Sequence, residues 1–199
     1  MRHRVAAAAL CAAGLACSDA RPAPAPAPPA EPSDLEVLQE HVVRDPGDSA
    51  AWFHLAELYD RAGLYPDEID ALRKVVALDP AMAYAHLRLG TAYNRLGEHR
   101  AAVESFLRAE KAIKNQPVLY NNLAVSYGKL GRGDDEIATL RRAIALRPRY
   151  ATAHFNLGMA LLARGDRAGA AEERRILDEF DEGAAASLQK EIDARGRSR

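Results

Sequence analysis

Residues 117–150 read PVLYNNLAVSYGKLGRGDDEIATLRRAIALRPRY, and they define the unit from which most of the chain is built. The first half has apolar residues at helical spacing around Leu123 and stops at Gly131. The second half has a similar stripe around Leu140 and ends before Pro148. Two amphipathic helices joined by a glycine turn cannot bury their apolar faces alone, so this unit predicts further copies.

Four copies align without a gap, beginning at Ser49, Ala83, Pro117 and Ala151. Each copy places apolar or small residues at the same positions. In the first helix the aligned columns are Leu55, Leu89, Leu123 and Leu157, then Ala56, Gly90, Ala124 and Gly158. The turn column is Gly63, Gly97, Gly131 and Gly165. In the second helix the columns are Ile69, Val103, Ile137 and Ala171, then Leu72, Phe106, Leu140 and Arg174. Glycine at the turn predicts a left-handed residue that ends the first helix.

This pattern resembles the tetratricopeptide repeat (TPR) family, in which an aromatic residue precedes Leu-Gly/Ala, Tyr, Gly, a small residue and a closing Pro. Residues 52–56 and 120–124 match best, and the resemblance covers residues 49 to about 182. It implies an all-α, right-handed superhelical solenoid of antiparallel helix pairs, with four TPR units and terminal cap helices. Four matches in phase make a specific pattern, whereas one would not.

The chain departs from the family pattern at four positions. Glu68 and Glu136 stand where the family usually has alanine, and Lys114 replaces the closing proline. Arg174 lies in a core column, so the fourth second helix is expected to face an altered neighbour.

The sequence predicts eight segments. They are a signal peptide (1–16), a lipidated cysteine with a Pro/Ala-rich linker (17–32), an N-terminal cap helix (33–48), four TPR units (49–82, 83–116, 117–150 and 151–183), and a C-terminal cap helix with a tail (184–199). Helix-starting residues are expected to be Ser33 or Asp34 for the cap helix, Pro66 in the first unit, and Asp134 and Asp166 in the last two. The final helix, with Leu188 and Ile192 in its stripe, is expected to end by about Arg195.

Composition narrows the possible functions of the 199-residue chain. The net charge is −1, so no broad basic surface argues for nucleic acid. Hydrophobic residues make up 48% and aromatic residues 6%, which suits close helix packing and not a β-sandwich. Both cysteines, Cys11 and Cys17, precede the repeats, so the repeats contain no disulfide or thiolate metal site.

The N-terminus predicts export. Arg2 and Arg4 precede about twelve apolar residues, which is long enough for a secretory signal and too short to span a bilayer. The residues before Cys17 resemble a bacterial lipoprotein signal, which implies acylation of Cys17, although Gly14 stands where that signal prefers leucine. Ordinary secretion and no export are the alternatives. Ser18 after the cysteine favours the outer membrane, with the repeats facing the periplasm.

The linker that follows is rich in proline and alanine and is expected to be extended polyproline II without a packed core.

The histidines do not form a catalytic or metal-binding pattern. His86 and His154 align with Trp52 and Tyr120, which predicts packing positions. His41, His54 and His99 show no partner spacing. The chain also has no HExxH, CxxC, phosphate loop or GxSxG sequence, so no cofactor, metal or catalytic residue is predicted.

The first helices line the concave groove in this family. One aligned column there contains His54, Arg88, Asn122 and Asn156. Asn122 and Asn156 resemble the asparagine ladder with which some TPR proteins hold a peptide backbone, since an amide both donates and accepts. The alternative is that asparagine is simply common at this position. Arg88 is a candidate for a contact to a carboxylate, but the family's full clamp of two lysines, two asparagines and an arginine is not matched, so no reader of a C-terminal carboxylate is predicted. The neighbouring groove candidates include Tyr84, Arg95 and Asn121.

The sequence thus predicts a membrane-anchored, periplasm-facing TPR scaffold that binds a protein or peptide segment in its groove, for assembly of an envelope complex. A periplasmic holdase-type chaperone for unfolded segments is the alternative. An enzyme is a remote third. Asn122 and Asn156 are expected to face solvent, so replacing both with alanine should weaken binding with little loss of fold.

Overall fold

The computed structural model describes residues 33–197, and these residues fold into helices without a strand. The predicted signal peptide, Cys17 and the Pro/Ala-rich linker lie outside the described residues. The helices are α1 (Asp34–Arg44), α2 (Ser49–Ala62), α3 (Tyr65–Leu78), α4 (Ala83–Arg95), α5 (His99–Glu110), α6 (Pro117–Lys129), α7 (Gly133–Leu146), α8 (Ala151–Ala163), α9 (Arg167–Asp178) and α10 (Glu182–Arg197). The predicted all-α solenoid of helix pairs is confirmed.

The turn between the two helices of each pair has the same geometry four times. Gly63, Gly97, Gly131 and Gly165 have φ angles of 73°, 78°, 73° and 83°. In the first pair, Gly63 N–H donates to the carbonyl of Asp60 and Leu64 N–H donates to that of Tyr59. This is the Schellman arrangement, which satisfies the last carbonyls of a helix and requires a left-handed residue. Glycine therefore ends each first helix at the predicted place.

The helices stack in chain order. Each first helix packs on its own second helix, and each second helix packs on the next first helix. The predicted core column of leucines in the first helices is buried, with exposed fractions of 2% to 6%. Contacts of α4 with α6 and of α6 with α8 bring successive first helices together on one side, which is the concave side of the stack.

The last pair departs from the predicted core at Ala171, which is exposed although the aligned Ile69, Val103 and Ile137 are buried. The buried residues of α9 are instead Ala170 and Leu177, which lie on a neighbouring face of the helix. Arg174 is half-exposed and pairs with Asp178 at 2.5 Å. Two columns that are buried in the other second helices are therefore accessible in α9.

Side chains fix several helix starts. Ser33 begins α1 in a capping box with Glu36. Asp166 accepts a hydrogen bond from Gly169 N–H at the start of α9, as predicted. Asp134 does not cap α7, so that prediction is wrong. Its helix begins one residue earlier, at Gly133, without a side-chain cap, and Asp134 forms an ion pair with Arg164 of the next unit.

Single helices close both ends of the described stack. At the N-terminal end, Val42 of α1 packs with Ala51 and Leu55 of α2. At the C-terminal end, α10 begins at Glu182, because Asp181 accepts a hydrogen bond from Ala184 N–H, and it continues to Arg197, beyond the predicted end. None of the described helices combines the length and the apolar character needed to cross a bilayer.

Candidate functional site: the concave surface of the first helices

Apolar side chains form a stripe along the concave side of α4, α6 and α8. Tyr84 and Val118 are the most accessible members, with exposed fractions of 54% and 39%. The other members are half-buried against the core. We call this set the apolar stripe, and its members are Tyr84, Leu87, Val118, Val125, Phe155 and Met159.

Next to the stripe, charged residues of the first two units form an ion cluster. Arg88 lies 3.3 Å from Glu57 and 3.0 Å from Asp60. Arg95 also pairs with Asp60, and its guanidinium lies 4.9 Å from the centre of the Tyr65 ring. Acidic side chains of α2 and basic side chains of α4 thus neutralise each other. Arg88 is held by these acids, which leaves it less able to bind a partner's carboxylate than the sequence predicted.

Glu68 completes the ion cluster from α3. Its side chain is 2% exposed, and its carboxylate lies 3.8 Å from Arg88 and 3.9 Å from Arg95. Burial and the neighbouring Asp60 raise the pKa of Glu68 to about 7, although the two arginines oppose the rise. Its Oε2 has no hydrogen-bond partner among the described residues. The departure from alanine at this position therefore places an acid that titrates near neutral pH under the concave surface.

Asparagines link three first helices through an amide network. Asn156 Nδ2 donates to Asn121 Oδ1 at 2.9 Å, which joins α8 to α6. Asn94 Nδ2 donates to the carbonyl of Asn122 at 3.0 Å, which joins α4 to α6. Ser126 Oγ in turn donates to Asn94 Oδ1 at 2.8 Å. The amides therefore help to hold neighbouring repeats together.

The members of this network differ in how much they offer a ligand. Asn121 is 5% exposed, so it lies beneath the groove surface. The sequence had predicted it on that surface. Asn122 and Asn156 are half-buried. The side chain of Asn122 has only long contacts, 3.4 Å to Asn121 and 3.5 Å to Thr91, so its amide keeps most of its capacity to bond to a ligand.

His54 forms no hydrogen bond or ion pair with the described members of the ion cluster or the amide network, although it shares a pocket with Glu57 of the ion cluster. It is exposed on α2 and lines a pocket of about 380 Å³ between α1 and α2, together with Val37, Leu38 and Leu58. The structure therefore divides the predicted site residues into four groups. They are His54 beside α1, Arg88 and Arg95 in the ion cluster, Asn121, Asn122 and Asn156 in the amide network, and Tyr84 in the apolar stripe.

A repeated hydrogen bond explains the column that contains two histidines. Trp52, His86, Tyr120 and His154 each contact the carbonyl oxygen of the residue six positions earlier, at 3.1, 3.0, 3.2 and 2.9 Å. That carbonyl belongs to the end of the preceding repeat. The column therefore joins consecutive repeats, which agrees with the packing role predicted for both histidines.

Two histidine pairs were missed from the sequence. His41 Nε2 lies 2.9 Å from Asp48, and His99 Nδ1 lies 3.1 Å from Asn94 Oδ1. Both partners lie five or seven residues away in a neighbouring helix or loop, a spacing that belongs to no standard pattern. In both cases only the folded structure identifies the partner of the histidine.

His154 has a second partner, Glu173 of α9, whose Oε2 lies 2.6 Å from His154 Nδ1. This hydrogen bond, supported by the bond to the Pro148 carbonyl, raises the pKa of His154 against the opposing effect of burial. The sequence predicted a packing position for His154 but did not predict the acid beside it.

Known structures show the same fold. A crystal structure of MamA is 24% identical, with a TM-score of 0.70 over 80% of this chain and 89% of that chain. MamA from Desulfovibrio magneticus RS-1 is 18% identical, with a TM-score of 0.66 over 83% and 85%. YrrB, described as a TPR protein with an unusual peptide-binding site, is 18% identical, with a TM-score of 0.65 over 81% and 93%.

No curated protein matches the chain significantly. The sequence model described as tetratricopeptide repeat matches residues 35–83, 69–117 and 121–185, which together span most of the chain. These matches include the α1 segment, the four helix pairs with their left-handed glycines, and the start of α10. By both sequence and fold, the chain is a member of the tetratricopeptide repeat family.

Proposed function

We propose that the protein is a scaffold that binds a segment of a partner protein along the concave surface of its first helices. The observation that supports this most strongly is the apolar stripe, whose members Tyr84 and Val118 remain open to solvent. Exposed apolar side chains in the same repeat column of neighbouring first helices favour an interaction site. The peptide-binding site named for YrrB is in keeping with such a role.

The chemistry of the surface favours a protein segment over a small polar ligand. Arg88 and Arg95 are neutralised inside the ion cluster, so no concentrated charge is left for a phosphate or a sugar acid. Asn122 offers an amide that can pair with a peptide backbone beside the apolar stripe. A segment with apolar side chains and an accessible backbone would use both features.

The test is capture of the partner by matched variants of the full chain. Val118 on α6 and Leu107 on α5 are both 39% exposed, and only Val118 lies in the apolar stripe. Val118→Asp should reduce recovery of a stoichiometric partner at least about tenfold, while Leu107→Asp should leave recovery unchanged. Circular dichroism must show equal helix content for both variants. Equal capture by both, or many unrelated clients and no stoichiometric partner, would contradict the scaffold.

We further propose that the chain is anchored through an acylated Cys17 and faces the periplasm, where it would serve assembly of an envelope complex. Support comes from the sequence: a basic start, an apolar run of signal length, and small residues before the cysteine. Several acyl chains would anchor the protein without a spanning helix. Cys17→Ser should abolish acylation and move the protein from the membrane fraction to the soluble fraction. Unchanged membrane retention would disprove this anchor.

A further inference from the structure

A second pocket lies between the first two repeats and shares no residue with the apolar stripe, the ion cluster or the amide network. Its volume is about 460 Å³, and it is bounded by the end of α3, the following loop and the end of α5. Its polar lining consists of His86, Arg108 and Lys111, and the remaining lining is apolar. Arg108 and Lys111 form no ion pair with any residue from 33 to 197.

His86 presents an unused nitrogen in this region. The side chain is 5% exposed, and Nε2 is bonded to the carbonyl of Pro80 at 3.0 Å. The other ring nitrogen, Nδ1, is buried and has no hydrogen-bond partner in the described part of the chain. Buried polar atoms in folded proteins nearly always have a partner, so an unpartnered nitrogen on a side chain that lines the pocket calls for an explanation.

The fourth repeat shows which partner fits this geometry. His154 occupies the position of His86, and its Nε2 contacts the Pro148 carbonyl in the same way, at 2.9 Å. Its Nδ1 is bonded to the carboxylate of Glu173 at 2.6 Å. The carboxylate beside Nδ1 also raises the pKa of that histidine, which favours its protonated form.

In the second repeat, the position of Glu173 is occupied by Ser105. Its shorter side chain donates to the carbonyl of Ala101 at 2.9 Å and makes no bond to His86. No carboxylate of residues 33–197 therefore takes the place beside His86 Nδ1. Two acids adjoin the pocket lining in sequence. Asp79 accepts a hydrogen bond from Ala81 N–H, and Glu110 pairs with Arg142 at 2.6 Å.

The second and fourth repeats also differ in the charge of two further aligned positions. Arg108 and Lys111 lie in the second repeat where the fourth repeat has Ile176 and Glu179. At these two positions the second repeat, whose histidine lacks an internal carboxylate, has cations and the fourth repeat has none. The cation near His154 is Arg149, at the position of Ala81, and it packs on the Phe180 ring that contacts His154. Two cations near His86, without an internal carboxylate beside it, suit an external anion in the second repeat.

We propose that this pocket binds the carboxylate of a ligand, which takes beside His86 the place that Glu173 takes beside His154. Arg108 and Lys111 would neutralise its charge, and two cations favour a ligand with two carboxylates. Such groups occur in free small dicarboxylates and in acidic segments of proteins. Both sources share the chemistry that the pocket recognises.

The first test is an NMR titration of the full chain that follows the ring signals of His86 and His154. The two probes are succinate and a blocked peptide with two adjacent glutamates, and sodium chloride of equal ionic strength is the control. The proposal predicts a saturable shift at His86 with a Kd of about 1 mM and no shift at His154. Stronger binding of succinate would identify a free dicarboxylate as the source, and stronger binding of the peptide an acidic segment.

Two variants test the site itself. Arg108→Gln with Lys111→Gln should weaken binding at least about tenfold, because both cations are removed from exposed positions without disturbing the core. Lys190→Gln, which removes an exposed cation elsewhere, should have no effect. Ser105→Glu should supply an internal carboxylate, abolish binding and give His86 ring signals like those of His154. If Ser105→Glu does not fold, the double variant decides.

Three results would overturn the proposal: no shift at His86 with either probe, an equal shift with chloride, or unchanged binding by the double variant. The concave surface provides an independent check. Val118→Asp should leave the succinate titration unchanged, so failure of the proposed scaffold function and failure of this pocket can be told apart.

Discussion

Glu68 shows most clearly how the stability of this protein depends on a single residue. Burial and Asp60 raise its pKa to about 7, whereas an unfolded chain gives about 4.5. Between these values the folded state binds more protons than the unfolded state, so the free energy of unfolding falls as the pH rises. The deprotonated acid is the costly form, and Arg88 and Arg95 offset only part of that cost.

We expect Glu68→Gln to remove this pH dependence. In the wild type, stability should fall by about 3 kcal/mol between pH 4.5 and pH 7, at about 1.4 kcal/mol per pH unit, and the variant should lack that fall. Urea unfolding at several pH values measures the difference. Glu57→Gln, which changes a more exposed acid of the same ion cluster, should keep the wild-type slope. Parallel profiles for wild type and Glu68→Gln would contradict the assignment.

Residue identities in the concave surface followed from the sequence, but their bonding did not. The repeat alignment placed Arg88, Asn122 and Asn156 in one column, and the structure places all three on first helices. Whether Arg88 meets a partner or Glu57 depends on the offset between α2 and α4. Since repeat spacing does not contain that offset, the ion cluster and the burial of Asn121 required the folded chain.

At the scale of the helices, close approach depends on small residues in the first helix. A Cβ added at Gly90 would lie 2.7 Å from the ring of Phe106, which is fully buried on α5. The sequence predicted this column as a place of close packing. The second helix pair thus needs glycine where its second helix places Phe106, whereas a Cβ at Gly158 in the fourth pair would meet Leu188 of α10.

Gly90→Ala should therefore destabilise the protein by about 1–3 kcal/mol through overpacking. Phe106→Leu should relieve part of that cost, so the double variant should lose less than the sum of the two single variants. Gly131→Ala is the control, because its cost comes from a left-handed backbone with φ of 73° and no neighbour within 4 Å. Thermal melts of all combinations measure the coupling, and strict additivity for Gly90 and Phe106 would refute the contact.

Helix bounds were predictable where the signal was local and failed where it was not. The turn glycines, Pro66 and the capping aspartate Asp166 all act within a few residues, and the structure has them in the expected roles. Asp134 also lies at a predicted helix start, but its carboxylate forms an ion pair with Arg164 of the next unit. A long-range ion pair of this kind is not visible in a local pattern.

At the scale of the whole molecule, each repeat is expected to be stabilised by packing against the repeats next to it. Leu123 in the middle of the stack and Leu188 at its C-terminal end are both almost fully buried. Contacts connect only neighbouring units along the stack. The same substitution should therefore have different consequences at the two positions.

Leu123→Asp should abolish cooperative folding of the repeats, because it buries an unpaired charge between two halves of the array. Leu188→Asp should instead expose α9 and α10 while α2 to α5 keep their protection. Amide hydrogen exchange resolved by segment measures both outcomes. Equal loss of protection along the chain in Leu188→Asp, or normal melting of Leu123→Asp, would contradict a stack held by nearest neighbours.

The central claim is that the concave surface of the first helices holds a partner protein, and photocrosslinking in the native cell tests it most directly. A photoreactive residue at Tyr84 or at Thr152, the exposed residue in the same column of α8, should give one dominant adduct. The same residue at Leu107 on α5 should give little or none of that adduct. An adduct of equal yield at Leu107, or no adduct from either concave position, would contradict the account.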